Sequence, residues 1–359
     1  MKRLLSLDFL RGFIMVLLML ESAGLYEPLY EATKNNMLGG FFNQFFHHPW
    51  HGLRFWDLIQ PGFMFMAGTA MAYSLHKQEK EGIPWTKTML KTLKRSAWLF
   101  FWGVLDYAVR KTGLSFELWD VLTQLSVTTL IAFFIFRWNY LQQILFSIGL
   151  LLLTEVLYRY TNIPNFNQPF TDQHNFGNYM DWVLMNKINK GGWVAINCLP
   201  TAVHTIAGAL VGKILLHDKK PLSSIFMASI CCLVLGYGLD LFDITPIIKR
   251  IATTSFTLAS LGYCLAALGA CFWWIDVQKH QTNWEFFTIV GMNSIFIYLF
   301  FEIVGHRWFN GYIEQITTGL LLPLQLNELQ QQVVAALAIF GLEWGMCYFL
   351  YRKKIFFKL

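Results

Sequence analysis

In a chain of 359 residues, 55% are hydrophobic, 17% aromatic and only 14% charged, little more than half the roughly 25% charge of a soluble domain. Apolar runs recur along its whole length, which excludes an ordinary soluble enzyme and points to the bilayer as its solvent. The net charge of +6 comes without a basic helix or an aromatic platform. It therefore reflects topology and anionic lipid, with no nucleic acid as partner.

Runs of about 20 apolar residues predict ten helical spans. They lie near residues 7 to 26, 55 to 75, 92 to 109, 119 to 136, 140 to 158, 195 to 215, 222 to 240, 252 to 274, 285 to 305 and 330 to 351. The first contains Asp8, Arg11 and Glu21, and the fourth is short. "YIEQITTGLLLPL" could add an eleventh, although its length and Pro323 favour a re-entrant or interfacial piece. The expected class is all-α and polytopic, with about ten (ten or eleven) helices in one bundle and residues 1–359 as a single domain. No linker, low-complexity tract or internal repeat interrupts it. The opening "MKRLLSLDFLRGF" has no small-residue cleavage site, so the first span is expected to stay attached.

With both termini cytoplasmic, 18 of the 28 basic residues fall inside, among them Lys2, Arg3, the Lys77–Arg95 group and Lys358, and 10 fall outside, including Lys111. That asymmetry supports the orientation. All six cysteines sit in predicted spans, where thiols serve as small apolar fillers, so neither disulfides nor a metal site are expected.

Three polar segments reach outward, Glu27–Arg54, Tyr160–Trp193 and His306–Leu329. The middle one is rich in Asn, Gly, Pro and aromatics. Such a composition suits either a structured interfacial loop or a sugar, which offers hydroxyls to amides and flat faces to rings. Inside, "HKQEKEGIPWTKTMLKTLKR" is basic enough to hold a nucleotide phosphate, although positive-inside bias accounts for it equally well.

Ionisable groups at membrane depth are functional candidates by default. Asp8 and Arg11, three apart on one helix, can pair. Glu21 needs a donor, and the histidines of "FFHHPWHGLRFWDLIQPGFMFMAG" are the nearest outward candidates. His47, His48 and His51 precede the second span, with Asp57 in its first turn. A carboxylate on the far nitrogen of an imidazole fixes its tautomer and raises its basicity. That combination suits proton abstraction, but equally a pH-sensing pair, histidines hydrogen-bonding to phospholipid headgroups, or a transport relay. His47 and His51 could share a helix face, but no Cys or carboxylate completes a zinc shell. His204, alone in an apolar stretch, is expected to bond between helices.

Four segments, "SLDFLRGFIMVLLM", "HHPWHGLRFWDLIQPGFMFMAG", "KRIATTSFTLASLGYCL" and "GMNSIFIYLFFEIVG", together resemble the transmembrane acyltransferases typified by heparan-α-glucosaminide N-acetyltransferase, and more closely the bacterial relatives without a luminal domain. They occur in family order and span nearly the whole chain. The resemblance implies an acetyl-CoA-dependent N-acyltransferase, multi-pass in a bacterial cytoplasmic (inner) membrane, carrying acetyl from cytosolic acetyl-CoA to a glucosamine-type amino sugar or glycan on the periplasmic side. It also implies a homodimer. The family motif His-x-x-Trp-(Asn/His)-Gly reads His47 to Gly52 here, which makes His47 the catalytic position.

By the same resemblance Asp57 and Glu21 would orient His47 and Asn293 would donate to the oxyanion. His51, Trp50, Glu302 and His306 would bind the acceptor, and Arg11, Lys94, Arg95 and Ser255 the acetyl-CoA, with no metal. One departure is Glu21, where many relatives carry Asn late in the first helix, so the acceptor or acyl group can differ. The region also lacks the Arg-His pair of the O-acyltransferase branch. His47 would act either as a general base or as a nucleophile acetylated in passing. A rival reading from another class is a proton-coupled secondary transporter of a sugar or small polar solute, using Glu21, Asp57 and His47 as a relay, although repeats and paired broken helices are missing from the sequence. A third is a scaffold whose polar clusters only bind helices together.

Overall fold

A computed structural model describes residues 4–110, 113–282 and 284–357. Lys2, Arg3, Lys111 and Lys358, counted in the charge balance above, lie outside the described residues. In chain order the α-helices are α1 (Leu5–Ser22), α2 (Tyr26–Thr33), α3 (Met37–Phe42), α4 (Ile59–Lys80), α5 (Trp85–Ala108), α6 (Val121–Phe134), α7 (Tyr140–Tyr160) and α8 (Phe176–Met185). There follow α9 (Cys198–His217), α10 (Pro221–Leu241), α11 (Thr254–Cys271), α12 (Glu285–Met292), α13 (Ser294–Phe300), α14 (Asn310–Leu321) and α15 (Glu328–Arg352). A two-residue antiparallel pairing of Val109–Arg110 with Gly113–Leu114 joins α5 to α6.

Each predicted span coincides with helix, but not each helix is long enough to cross. Among the described residues five are, by length and apolar composition, and up to seven if each of two bent pairs is one span. The architecture is that of a helical polytopic membrane protein, with lipid contact on its apolar faces. On α7, Leu145, Leu152 and Val156 are exposed, and on α10 Met227, Ile230 and Val234. Contiguous outward apolar surface of this kind needs lipid around it.

The broken pairs have visible causes. α1 ends at Ser22, and α2 departs from it at 71° across a turn containing Gly24 at φ +80°. The span predicted over 285 to 305 breaks at Asn293, and the helical segment Ser294–Leu324 leaves at 74°. Asn293 is wholly buried; its Nδ2 donates to the Ile355 carbonyl (3.2 Å) and its Oδ1 accepts from Phe357 N–H (3.0 Å). The "YIEQITTGLLLPL" stretch is helical through α14, with Pro323 in a closing 3-10 turn. The segments Phe272–Val277 and Phe301–Phe309 are π-helical, a widened geometry that is uncommon and often met at functional sites.

The chain clusters into two compact units, His48–Gly269 and Lys2–His47 with Ala270–Lys358. In the first, α4 packs closely on α9 through small residues. A Cβ added at Gly68 would run into the Thr205 carbonyl, and one at Gly208 into that of Phe65. Without a hydrophobic drive between helices in lipid, backbone approach of this sort supplies the dispersion contacts that hold them. His204 Nε2 and Ser260 Oγ, 2.9 Å apart and fully buried, add a polar tie between α9 and α11. In the second unit α1 and α12 meet the same way, Gly12 against the Phe287 backbone and Gly291 against that of Asp8 and Gly12. A small core of Ala23, Ala336 and Ile339 backs this unit.

Candidate functional site

In the unit His48–Gly269 the loop after His48 is zipped to the loop before α11. Gly52 N–H donates to the Ile247 carbonyl (2.8 Å), and His51 and Ile248 form an isolated antiparallel bridge. The His51 Nε2 lies 2.7 Å from Asp240 Oδ1, which also accepts from Ile247 N–H at 2.8 Å. Two of the four motif segments of the sequence, one starting at His47 and one at Lys249, are thereby brought side by side.

Asp57 is the hinge of this arrangement. Its Oδ2 accepts from the backbone N–H of Arg54 (2.9 Å) and His48 (3.2 Å), which closes the turn ahead of α4. Its Oδ1 lies 3.7 Å from the Lys249 ammonium, with both residues buried. Burial pushes Lys249 well below the ordinary lysine range, and the Asp57 charge opposes this. The ammonium also sits 5.3 Å above the Trp193 ring, a favourable cation–π position.

Gly52 has φ +141°, and a Cβ there would lie 2.6 Å from His48 Nε2. The glycine of the His-x-x-Trp-x-Gly pattern thus has two physical reasons, a backbone conformation that L side chains rarely adopt and the imidazole packed against it. His48 Nδ1 is buried without a hydrogen-bond partner. Burial, followed by the Arg54 charge, pushes His48 below its ordinary value.

The segment Tyr160–Trp193, expected to face outward, is a folded cover over this loop. Trp50 Nε1 donates to the Phe170 carbonyl (2.8 Å) and its ring packs against the core of Tyr158, Phe176, Val194, Ile248 and Ile251. Arg250 donates to the Gly191 carbonyl. The amides expected to meet sugar are partly spent inside, since Asn175 caps α8 through Asn178 N–H (3.2 Å) and donates to the Thr171 carbonyl (2.9 Å). Asp181, fully buried, accepts from Ala195 N–H (2.8 Å) and Trp119 Nε1–H (2.9 Å).

A second feature of the same unit is a cavity of about 540 Å³ lined by His76, Trp85, Thr88, Arg137, Lys213 and His217, among others. The Arg137 guanidinium lies 4.1 Å over the Trp85 ring, and Lys213 4.2 Å over that of Phe136. This basic, aromatic-walled space lies beside the segment that the sequence marked as a phosphate holder. Lys94 and Arg95 are exposed on α5 and are not among its lining residues. Ser255 is fully buried and donates to the Pro246 carbonyl (2.7 Å), which supports the Asp240–Lys249 loop.

The other sequence candidates belong to the second unit. Arg11 reaches Asp8 at 3.8 Å. Glu21 is exposed at the end of α1, and His47 and Glu302 are half-buried. His306 is exposed in the π-helical segment and lines a cleft with Ser22 and Asn310. Asn293 spends its amide on the C-terminal segment as described above. Among the described residues no three His, Cys, Asp or Glu side chains converge as a metal shell requires.

Three groups escaped the sequence reading. Lys249 was counted only as an outer charge. Asp181 lay in a segment read for its amides. Glu343, fully buried in α15 with neither carboxyl oxygen hydrogen-bonded, was legible as a lone acid inside an apolar run. No family model and no curated protein matches the chain.

Proposed function

We propose that this protein is a ten-span, acetyl-CoA-dependent N-acyltransferase of a bacterial cytoplasmic membrane, both termini cytoplasmic, that delivers acetyl to a glucosamine-type amino sugar or glycan outside. The observation that carries the reading is the zipping of the His48–Asp57 loop onto the Asp240–Ser255 loop. It joins the two motif segments of the acyltransferase resemblance through a His51–Asp240 and a Lys249–Asp57 pair, groups of the kind an acid–base site uses. The basic cavity of Arg137 and Lys213 supports it as the place for the nucleotide of acetyl-CoA, on the inner side in the proposed orientation.

In this reading His47 removes the proton from the acceptor amine as the nitrogen attacks the thioester carbonyl. Coenzyme A leaves as its thiol after taking up that proton. Asp57 contributes by fixing the turn that carries the histidines, a positioning role, with Lys249 as its counter-charge. A covalent route through acetylated His47 uses the same residues.

The test is acetyl transfer from radiolabelled acetyl-CoA by purified protein, with and without glucosamine, for the wild type and for His47→Ala and His48→Ala. Acceptor-dependent product lost in His47→Ala is the expected result. Normal transfer by a folded His47→Ala protein overturns His47 as the centre, and loss confined to His48→Ala moves the centre by one residue. The unpartnered intramembrane Glu343 favours the second reading, a proton-coupled transporter, for which solute uptake into proteoliposomes without an acetyl donor is the deciding assay.

A further inference from the structure

Helices α4 and α9 run side by side in the same direction. A Cβ at Gly212 would lie 2.5 Å from that of Ala72, and about one turn further along both helices His76 meets His217. The two imidazole rings pack edge to face with centroids 5.2 Å apart, in the wall of the cavity of about 540 Å³ that Arg137 and Lys213 also line. His76 is half-buried, one residue past the span predicted over 55 to 75, and His217 is exposed. Among the described residues no hydrogen bond or ion pair engages either ring or the Arg137 guanidinium. Glu79 is the one carboxylate in the lining.

Opposing forces act on a proton at this pair. α4 closes at Lys80 and α9 at His217 itself, and the free carbonyls of a helix end favour a cation. Against this, protonating both rings brings two cations into contact beside Arg137 and Lys213, and like charges disfavour that. Burial, followed by the Lys80 and His217 charges, opposes the charged form of His76, whereas Glu79 favours it. Near His217 the other charged groups are Lys213 one turn earlier and Asp218, Lys219 and Lys220 after it. Tyr140 completes the titratable set, its ring 5.9 Å from the Lys213 ammonium. A bound anion reverses the balance, because each added positive charge then has a negative partner.

We propose that His76 and His217 are ligands of a phosphate-bearing anion in this cavity and that the anion brings protons with it. A proton from solvent goes onto an imidazole nitrogen, and the N–H so formed donates to a phosphate oxygen. Arg137 and Lys213 supply fixed charge, while the histidine pair makes binding stronger as the medium acidifies. The inference rests on the reading of this cavity as a phosphate site and needs no acetyl transfer.

The experiment is calorimetry on the full-length protein in an uncharged detergent, in buffers of one pH but different ionisation heats, so that the dependence of the observed heat on the buffer counts the protons taken up. The probes are ADP-ribose and dihexanoyl phosphatidylglycerol, phosphodiesters whose own charge is constant near neutral pH, with adenosine as the phosphate-free control. Uptake of about one proton per bound phosphodiester is expected, and affinity should rise about threefold to tenfold between about pH 8 and about pH 6.5. Adenosine should bind far more weakly and without uptake. His76→Gln combined with His217→Gln should remove the uptake and flatten the pH profile, with folding checked by melting in the same detergent, and His280→Gln on the other unit should change neither. Whichever phosphodiester binds with uptake supports the proposal and identifies a nucleotide or a lipid headgroup as the source of the phosphate. Binding without uptake, uptake unchanged in the double variant, or no binding by either probe overturns it. A protein that binds ADP-ribose with uptake yet transfers no acetyl would keep this proposal and lose the acyltransferase reading, so the two failures are distinct.

Discussion

The Lys249 ammonium stands 3.7 Å from the Asp57 carboxylate, in a place where the two residues are 6% and 1% exposed. Removing one partner of such a pair leaves the other charge buried without its counter-charge, a loss of up to about 3 to 5 kcal/mol. Lys249→Met should therefore lower the apparent melting temperature markedly in detergent. Asp57→Asn, which keeps one acceptor for the Arg54 and His48 amides, should cost less, and the double variant should be no worse than Lys249→Met alone. Additive losses would show that the two side chains do not act as a pair.

Gly52 carries a narrower prediction. At φ +141° a residue other than glycine is strained by about 1 to 3 kcal/mol, and its Cβ would also displace the His48 ring. If the proposed acyltransferase reading holds, Gly52→Ala is expected to abolish acetyl transfer while the helices survive, seen as unchanged far-ultraviolet circular dichroism beside lost turnover. A fully active Gly52→Ala protein would mean that the loop geometry is irrelevant to function.

Much of this was legible in the sequence, for a reason that also sets its limit. Helices such as α7, α10 and α15 announce themselves because lipid demands an unbroken apolar run, and the Asp8–Arg11 approach follows from helical spacing alone. The acceptor of a side chain far along the chain does not follow from spacing. Asp57 was expected beside the histidines, its sequence neighbours; that its carboxylate also accepts from the His48 and Arg54 backbone and lies beside Lys249 could not be read from spacing. His51 found its carboxylate in Asp240, 189 residues away. The bends at Ser22 and Asn293 were hidden because hydropathy measures how apolar a segment is and carries no record of its direction.

Asp181 predicts a pH dependence. Burial pushes its carboxyl from an ordinary 3.8 up to about 7, against the pull of the Ala195 and Trp119 donors. Between those values the folded protein holds a proton that the unfolded chain has released. The stabilisation linked to it is complete below the lower value and is lost as pH rises through the upper one. Melting of the wild type should therefore weaken from about pH 4.5 to about pH 8 more steeply than that of Asp181→Asn. The variant should also be less stable at low pH by about 1 to 3 kcal/mol, because its amide cannot accept from both donors. Parallel pH profiles would remove Asp181 as the titrating group.

In the proposed acyltransferase reading, the basic cavity would hold the acyl donor apart from the chemistry, and this can be checked. Arg137 is stacked on Trp85 at 4.1 Å, and among the described residues its guanidinium meets no carboxylate, so its hydrogen-bond donors are free for a phosphate. If the nucleotide of acetyl-CoA sits there, Arg137→Ala removes contacts made equally in the ground state and the transition state. KM for acetyl-CoA should then rise about tenfold, the equivalent of about 1.4 kcal/mol, with kcat nearly constant. Lys213→Ala should act in the same sense, with some added loss of stability because Lys213 also donates to the Phe136 carbonyl. Lys94→Ala and Arg95→Ala, on the exposed face of α5 away from the cavity lining, should change neither constant. A KM that responds to Lys94 and Arg95 but not to Arg137 would put the nucleotide on the outside of α5 and leave this cavity without a part in donor binding.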